Sequence, residues 1–286
     1  MINALTIDVE DWYHDASRPN GPATAAEIRP VGSRVRRNVE ALFEILARHK
    51  TRATLFFLAD VASEQKDLVR RAIAEGHEIA CHGLDHRPVG KRSRKEFQDD
   101  VRTSRAMIED IAGIEVTGFR APYFLQPDDL WALDVLAEAG FRYDSSYMPL
   151  RYFPSDVPML SEGRGPVQLE SGLWEFPLPI SRLPTGHMLP AAAGGFSLRA
   201  LPFSWMSGHL RRFNDEVGAT VVYTHPWEID PDSPKLPGTP GYVRWFNRVG
   251  RSSMVRKLDR LLSDFEFAPI EQVFARELSS ADSPRN

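Results

Sequence analysis

His82-Gly83-Leu84-Asp85-His86 sets two imidazoles at i and i+4. On a helical turn that spacing puts both rings on one face, where they can grip one cation. The pair by itself describes two surface histidines equally well. A partner for it stands near the N-terminus, where Asp8-Val9-Glu10-Asp11 gathers three carboxylates within four residues. Carboxylates this close repel one another unless a cation or an arginine offsets them. Residues i and i+2 of a strand share a face, so Asp8 and Glu10 can look into one site, one as a base and the other on a metal. Two histidines and one carboxylate leave coordination positions open, as catalytic zinc and related divalent sites do. Arg120 leads into the turn Ala121-Pro122-Tyr123, which holds it extended. His225 follows the apolar run 219–224 and, taken alone, reads as structural.

These groups need elements to carry them. Residues 4–7 form a short β-favouring stretch that ends in the acids, and 53–59 is a continuous apolar run suited to a strand covered on both faces. Residues 77–81, 117–120, 141–144 and 219–224 are further strand candidates. Helical spacing occupies 35–49, 67–75, 94–112, 128–139 and 255–265, several of these closed by glycine. Alternating β and α with short connections predicts an α/β fold with a parallel sheet or barrel. Asp8, His82, Arg120 and Asp144 all fall at strand ends, the face on which α/β barrels gather their chemistry.

The chain has 286 residues, Lys+Arg 35 against Asp+Glu 39, and a formal net charge of -4. Being 42% hydrophobic and 26% charged, it has a globular composition, which excludes disordered, collagen-like and coiled-coil chains. The balance also argues against holding nucleic acid by bulk positive charge. Cys81 is the single cysteine, so an internal disulfide and a cysteine zinc cluster are both impossible. A buried apolar role is expected for it. No stretch reaches the roughly 18 apolar residues of a membrane helix. Residues 1–8 lack a secretory pattern, so the expected compartment is the cytoplasm.

The order Thr6-Ile7-Asp8, His82-x-x-x-His86, Arg120-Ala121-Pro122-Tyr123, Tyr143-Asp144-Ser145 and His225 resembles the polysaccharide deacetylase family with the NodB homology domain, carbohydrate esterase family 4. Asp8-Val9-Glu10-Asp11-Trp12, Gly194-Gly195-Phe196 and His225-Pro226-Trp227-Glu228-Ile229-Asp230 are similar to a narrower branch from exopolysaccharide gene clusters of the PEP-CTERM/exosortase type. The resemblance implies a distorted (β/α) barrel carrying an insertion over 148–200 and a C-terminal extension over 226–275. It makes 1–275 one catalytic domain, with 276–286 a polar tail. It implies hydrolysis of an N-acetyl group on a sugar with one divalent metal, zinc first, with cobalt, nickel or manganese as alternatives. His82 and His86 become metal ligands, Asp8 the general base and Arg120 its holder. The backbone N–H of Tyr123 serves the oxyanion, His225 is the general acid, and Asp144 supports that acid.

One departure stands out. The family places the metal-binding acid directly after the base, and Val9 occupies that position. The metal carboxylate is then Glu10 or Asp11, with Glu10 preferred from strand alternation. The family's tryptophan after the Asp144 position is also missing, with Ser146-Tyr147 in its place. Trp12, His14 and Trp227 are candidate substrate contacts, and Trp174 is divided between sugar stacking and core. The basic–aromatic stretch 242–248 is the one patch suited to transient contact with a membrane surface or a glycan, although core packing is the expected fate of Trp245 and Phe246. The expected partner is an N-acetylated saccharide intermediate, with no nucleic acid. Two readings from other classes stand beside it: an amidohydrolase of a small cyclic imide or ureide, and a non-catalytic sugar-binding protein.

Overall fold

Alternate residues of each central strand enter two different apolar clusters, and this period of two organises the molecule. The computed structural model describes residues 1–14, 28, 32–148, 165–182, 188–234 and 240–280. Strand β1 (Ile2–Val9) leads to helix α1 (Val35–Arg48), strand β2 (Thr54–Phe57), helices α2 (Ala59–Glu64) and α3 (Lys66–Ala74), and strand β3 (Glu78–Cys81). Helix α4 (Arg94–Ala112), strand β4 (Gly118–Phe119), helix α5 (Trp131–Glu138) and strand β5 (Tyr143–Asp144) continue the alternation. Then come β6 (Val167–Gln168), β7 (Trp174–Glu175), β8 (Ser181–Arg182) and β9 (Met188–Leu189). Helices α6 (Gly195–Ala200) and α7 (Phe203–Glu216) precede β10 (Val221–Thr224). The chain closes with α8 (Gly241–Arg248), α9 (Arg251–Asp264), β11 (Glu266–Ala268), α10 (Ile270–Val273) and α11 (Ala275–Ser280).

The main sheet runs β10-β1-β2-β3-β4-β5-β7-β6, with β11 also paired to the start of β1. Every pairing along it is parallel except β6 with β7. This is a distorted (β/α) barrel, curled but left open between β10 and β6. Leu5, Ile7 and Val9, with Leu55, Phe57, Ile79 and Cys81, point outward into the layer shared with the helices. Ala4, Phe56, Ala80, Val221 and Tyr223 point inward. Cys81 is fully buried in the outer layer, where its thiol meets Ser104, as expected of an apolar filler. Helix α4 is bounded by a Ser93–Glu96 capping box and by Gly113 in the left-handed region, which accounts for its legible ends.

The two ends of the barrel differ. Ile270 and Phe274 of the C-terminal helices plug the end where the strands begin, and Phe274 stacks on Phe176 at 4.3 Å. Residues 276–280, expected in a polar tail, are helical instead. Leu278 is buried, and Arg142 Nη2 donates to its carbonyl at 2.6 Å. Residues 281–286 lie outside the described residues, as do 149–164 and 183–187 of the expected insertion. The described part of that insertion adds β7 and β6 to the sheet edge and an antiparallel ribbon, β8 with β9. The opposite end of the barrel, where the strands finish, is left for polar chemistry.

Candidate active site

Asp8 is the penultimate residue of β1, His82 and Arg120 directly follow β3 and β4, and His225 directly follows β10. Parallel pairing puts these strand ends side by side. They converge on a cavity of about 210 Å³ whose wall includes Asp8, Glu10, His82, His86, Tyr123, His225 and Glu228.

Glu10, His82 and His86 each offer one ligand atom within 4.8 Å of the others, the one such group among the described residues. Glu10 Oε2 stands 2.6 Å from His86 Nε2. The His82 Nδ1 side faces the Arg120 carbonyl at 2.7 Å, which leaves Nε2 for the cavity. Trp227 Nε1 donates to Glu10 Oε1 at 2.8 Å, so the other oxygen is turned to the histidines. That oxygen is buried and makes no hydrogen bond, although it lies so near His86. A buried carboxylate oxygen without a hydrogen bond, facing two imidazoles, fits a divalent cation. Burial would raise the Glu10 carboxyl, but His86, with His225 and His82, holds it well below the usual carboxylate range. Burial, with His86 adding to it, lowers the His82 imidazole to about 4, which keeps it neutral and able to ligate.

The two histidines do not share a helical turn as their spacing suggests. Residues 84–86 form a bend rather than a helix, and Gly83 turns the chain before them at φ +85°. A buried clamp fixes this loop. Asp100 Oδ1 accepts from the Leu84 N–H at 3.2 Å, Asp100 Oδ2 accepts from Arg92 Nη2 at 2.9 Å, and Arg92 also reaches Asp85 and the Arg87 carbonyl.

Asp11 turns away from the site. Its carboxylate accepts the N–H groups of Trp12, Arg34 and Val35, tying the start of α1 to the end of β1. Asp8 instead faces inward, with Oδ1 accepting from Arg120 Nη1 at 2.8 Å. Arg120 is fully buried and also donates to Thr6 Oγ1, the Ser145 carbonyl and Ser145 Oγ. Asp8 Oδ2, on the other side, lies 3.8 Å from His225 Nε2.

The acid beside His225 is not Asp144. Asp144 is fully buried against Ser146 and the carboxyl of Glu175, and burial raises both carboxyls. Tyr143 enters the inner cluster, so its neighbour Asp144 points to the other face of β5 and does not line the cavity. Glu228 takes the place instead, with Oε2 3.3 Å from His225 Nδ1 and Oε1 accepting from Arg199 Nε at 3.0 Å. The i, i+3 spacing of His225 and Glu228 across Pro226 was the available sign, since such spacing folds back in one tight turn. Arg199, Phe196 and Phe246 also line the cavity and were missed, because each lies far in sequence from the other groups.

Tyr123 and Phe124 both adopt left-handed backbone, at φ +62° and +60°, a conformation unusual outside glycine. The turn brings both to the cavity wall, and Tyr123 Oη donates to the His14 carbonyl. His14 stands behind His86, ring to ring at 6.0 Å, and its Nδ1 accepts from the Asp11 N–H. Trp12 is buried with Nε1 on the Gly32 carbonyl, away from the cavity wall. Trp227 does line it, stacked on His225 at 4.8 Å. Trp174 stacks on Phe176 at the inner cluster. Gly194 shows why the Gly-Gly-Phe stretch takes no larger residue there: a Cβ would lie 2.2 Å from the Tyr223 carbonyl oxygen.

The sequence model of the polysaccharide deacetylase family matches residues 29–143, which contain His82, His86, Arg120 and Tyr123. Over residues 29–143 the chain is similar to the polysaccharide deacetylase family. A second family model, described as a domain of unknown function (DUF3473), matches 145–275, which contain Arg199, His225 and Glu228. The cavity is thus lined by residues of both matched segments and of β1. A chitooligosaccharide deacetylase of Bradyrhizobium sp. is 34% identical over 100 residues, covering 35% of this chain and 43% of that protein. A peptidoglycan-N-acetylglucosamine deacetylase of Listeria monocytogenes is 30% identical over 82 residues, 29% of this chain and 18% of that protein. The chain therefore spans less than half the length of these curated relatives. A structure described as a polysaccharide deacetylase from Mycobacterium smegmatis covers 100% of this chain and 92% of its own at TM-score 0.62 and 22% identity. One from Pseudomonas aeruginosa has the same coverage and TM-score at 14% identity. Both support the deacetylase-type barrel fold. No helix of the described residues is long and apolar enough to cross a membrane.

Proposed function

We propose that the chain is a divalent-metal-dependent hydrolase that removes N-acetyl groups from an N-acetylated saccharide. One observation carries the reading. Glu10, His82 and His86 share a cavity with Asp8, which Arg120 holds, and with the His225–Glu228 pair. A cation held by the three ligands, zinc before cobalt, nickel or manganese, would supply Lewis-acid polarisation of the acyl carbonyl.

The protein groups divide the proton work. Asp8 accepts the proton of the attacking water on Oδ2, the oxygen Arg120 does not hold. The Tyr123 N–H, presented by the left-handed turn, serves the developing oxyanion, where one such donor contributes about 3 kcal/mol. His225 Nε2–H protonates the departing nitrogen as the C–N bond breaks, and acetate leaves with the oxygen of water. Asp144 has no part in these steps. Trp227 acts by fixing Glu10 and by stacking on His225.

Acetate release from a panel of N-acetylated saccharides, after chelation and return of each metal, tests the reading. Activity should depend on added metal, and Asp8→Asn should keep the metal while turnover falls roughly 10²–10⁴-fold. Ring opening of cyclic imides without acetate release would favour a small-amide amidohydrolase. Saccharide binding without turnover by metal-loaded protein would favour a sugar-binding role.

The finer reading places the substrate among exopolysaccharide intermediates in the cytoplasm. It is supported by the resemblance of the stretches around Asp8, Gly194 and His225, by the DUF3473 match and by the single cysteine. Fractionation of cells making the untagged protein tests it; recovery outside the cytoplasm would overturn the compartment.

A further inference from the structure

Helix α8 presents large rings to water. Tyr242 is 74% exposed, Trp245 63% and Phe246 45%, at i, i+3 and i+4 on one face, while Val243 is buried. Core packing, the expectation for Trp245 and Phe246, does not occur, because Val243 supplies the buried face. Contiguous exposed aromatic surface of this kind marks a docking site.

We propose that this face is a platform for the saccharide chain beyond the sugar being deacetylated, a proposal that rests on the deacetylase reading above. Continuity with the site supplies the argument. Phe246 is both a wall of the active-site cavity and the inner end of the exposed face. Its ring lies on Phe196 at 4.1 Å and 7°, so the wall is stiff. A chain with one sugar in the cavity and the next units passing over Phe246 meets Trp245 and Tyr242. Flat rings with a wet edge suit the apolar C–H faces of sugars, whose hydroxyls stay in water.

The platform is held in place before any ligand arrives. Arg199 Nη1 donates to the carbonyls of Phe246 and Val249 at 2.9 and 2.7 Å. Arg248 is folded back on the carbonyls of Ser233 and Pro231. Preorganisation lowers the ordering cost of binding. The same contacts disfavour an anionic membrane as the occupant. Arg248 is engaged with those carbonyls, Arg244 is the exposed cation of α8, and the chain carries a net charge of -4.

The test compares wild type with Tyr242→Ala/Trp245→Ala on the dimer and the hexamer of N-acetylglucosamine. Both replaced side chains are exposed, and an unchanged melting temperature verifies the fold. Wild type should favour the hexamer. The variant should lose about tenfold in kcat/KM on the hexamer, the scale of one stacking contact, and stay within about twofold on the dimer. Equal losses on both substrates, or no loss on either, would overturn the platform. Binding is read separately, by retardation in a native gel containing glycol chitin. Lost retardation in the variant supports the platform even where no acetate is released, an outcome that sinks only the deacetylase reading. Unchanged retardation overturns the platform, as does variant-sensitive sedimentation with anionic vesicles without any chain-length effect.

Discussion

Glu228 Oε2 stands 3.3 Å from His225 Nδ1 while Oε1 of the same carboxylate is held by Arg199. Burial pulls the His225 imidazole down. The hydrogen bond and charge of Glu228, with Glu10 and Asp8, outweigh it and lift the group to about 9. A histidine so placed is protonated at neutral pH, the state a general acid must hold. Arg199 thereby connects the partner of His225, Glu228, to the backbone of α8.

Removing the Glu228 charge should move the alkaline limit of catalysis. In Glu228→Gln the imidazolium loses its main support, so it deprotonates at lower pH. The high-pH limb of kcat should shift down by about one pH unit or more. A limb that stays in place in a folded, metal-loaded variant would remove His225 from that titration. The variant also leaves Arg199 buried without its counter-charge, so its melting temperature should fall.

Glu10 and Asp11 should separate cleanly. Glu10→Gln should lose bound divalent metal in elemental analysis with little change in fold. Asp11→Asn should retain metal and lose stability, by about 1–2 kcal/mol, because the carboxylate that accepts N–H groups at the start of α1 is weakened. Metal loss in the Asp11 variant alone would reverse the assignment.

The clamp on the ligand loop should tune metal affinity without touching the chemistry. Asp100→Asn weakens the hold on Leu84 and Arg92, leaving His86 less fixed. Metal affinity should drop about 10–100-fold, the usual effect of disturbing the supports of ligands. Turnover at saturating metal should stay close to wild type. A fall in turnover that added metal does not restore would contradict this division.

Glu78, at the plugged end of the barrel, should make stability depend on pH. Burial, with Glu271 nearby, pushes its carboxyl up to about 7 from 4.5, despite bonds from Thr54 and Tyr143. The folded protein therefore holds a proton that the unfolded chain releases from about pH 4.5 upward. Stability should fall as pH rises from 4.5 through 7, by on the order of 3 kcal/mol. Glu78→Gln mimics the neutral acid and should flatten denaturant-measured stability over that interval. An equally steep profile in the variant would assign the dependence elsewhere.

The sequence by itself determined the alternation of β and α, the barrel class, and the residues at strand ends. Those signals are local: the period of each element, the capping residues of α4, and the two-residue alternation that sends Glu10 inward. It also marked His82 and His86 as a candidate pair, though not how they meet, since Gly83 and the Asp100 clamp replace the helical turn their spacing suggested. Helix α7 over Phe203–Glu216 did not declare itself, and the 242–248 patch gave no sign that Trp245 and Phe246 would stay exposed. An apolar ring carries no mark of whether its neighbours will cover it. Only the tertiary structure decided that Glu228 rather than Asp144 supports His225. It likewise decided that Asp11 ties down α1, and that Arg199, Phe196 and Phe246 complete the cavity. The physical reason is the same in each case. A side chain's partner across the barrel depends on where distant strands and turns bring it, and that placement comes from the packing of the whole sheet rather than from any local pattern.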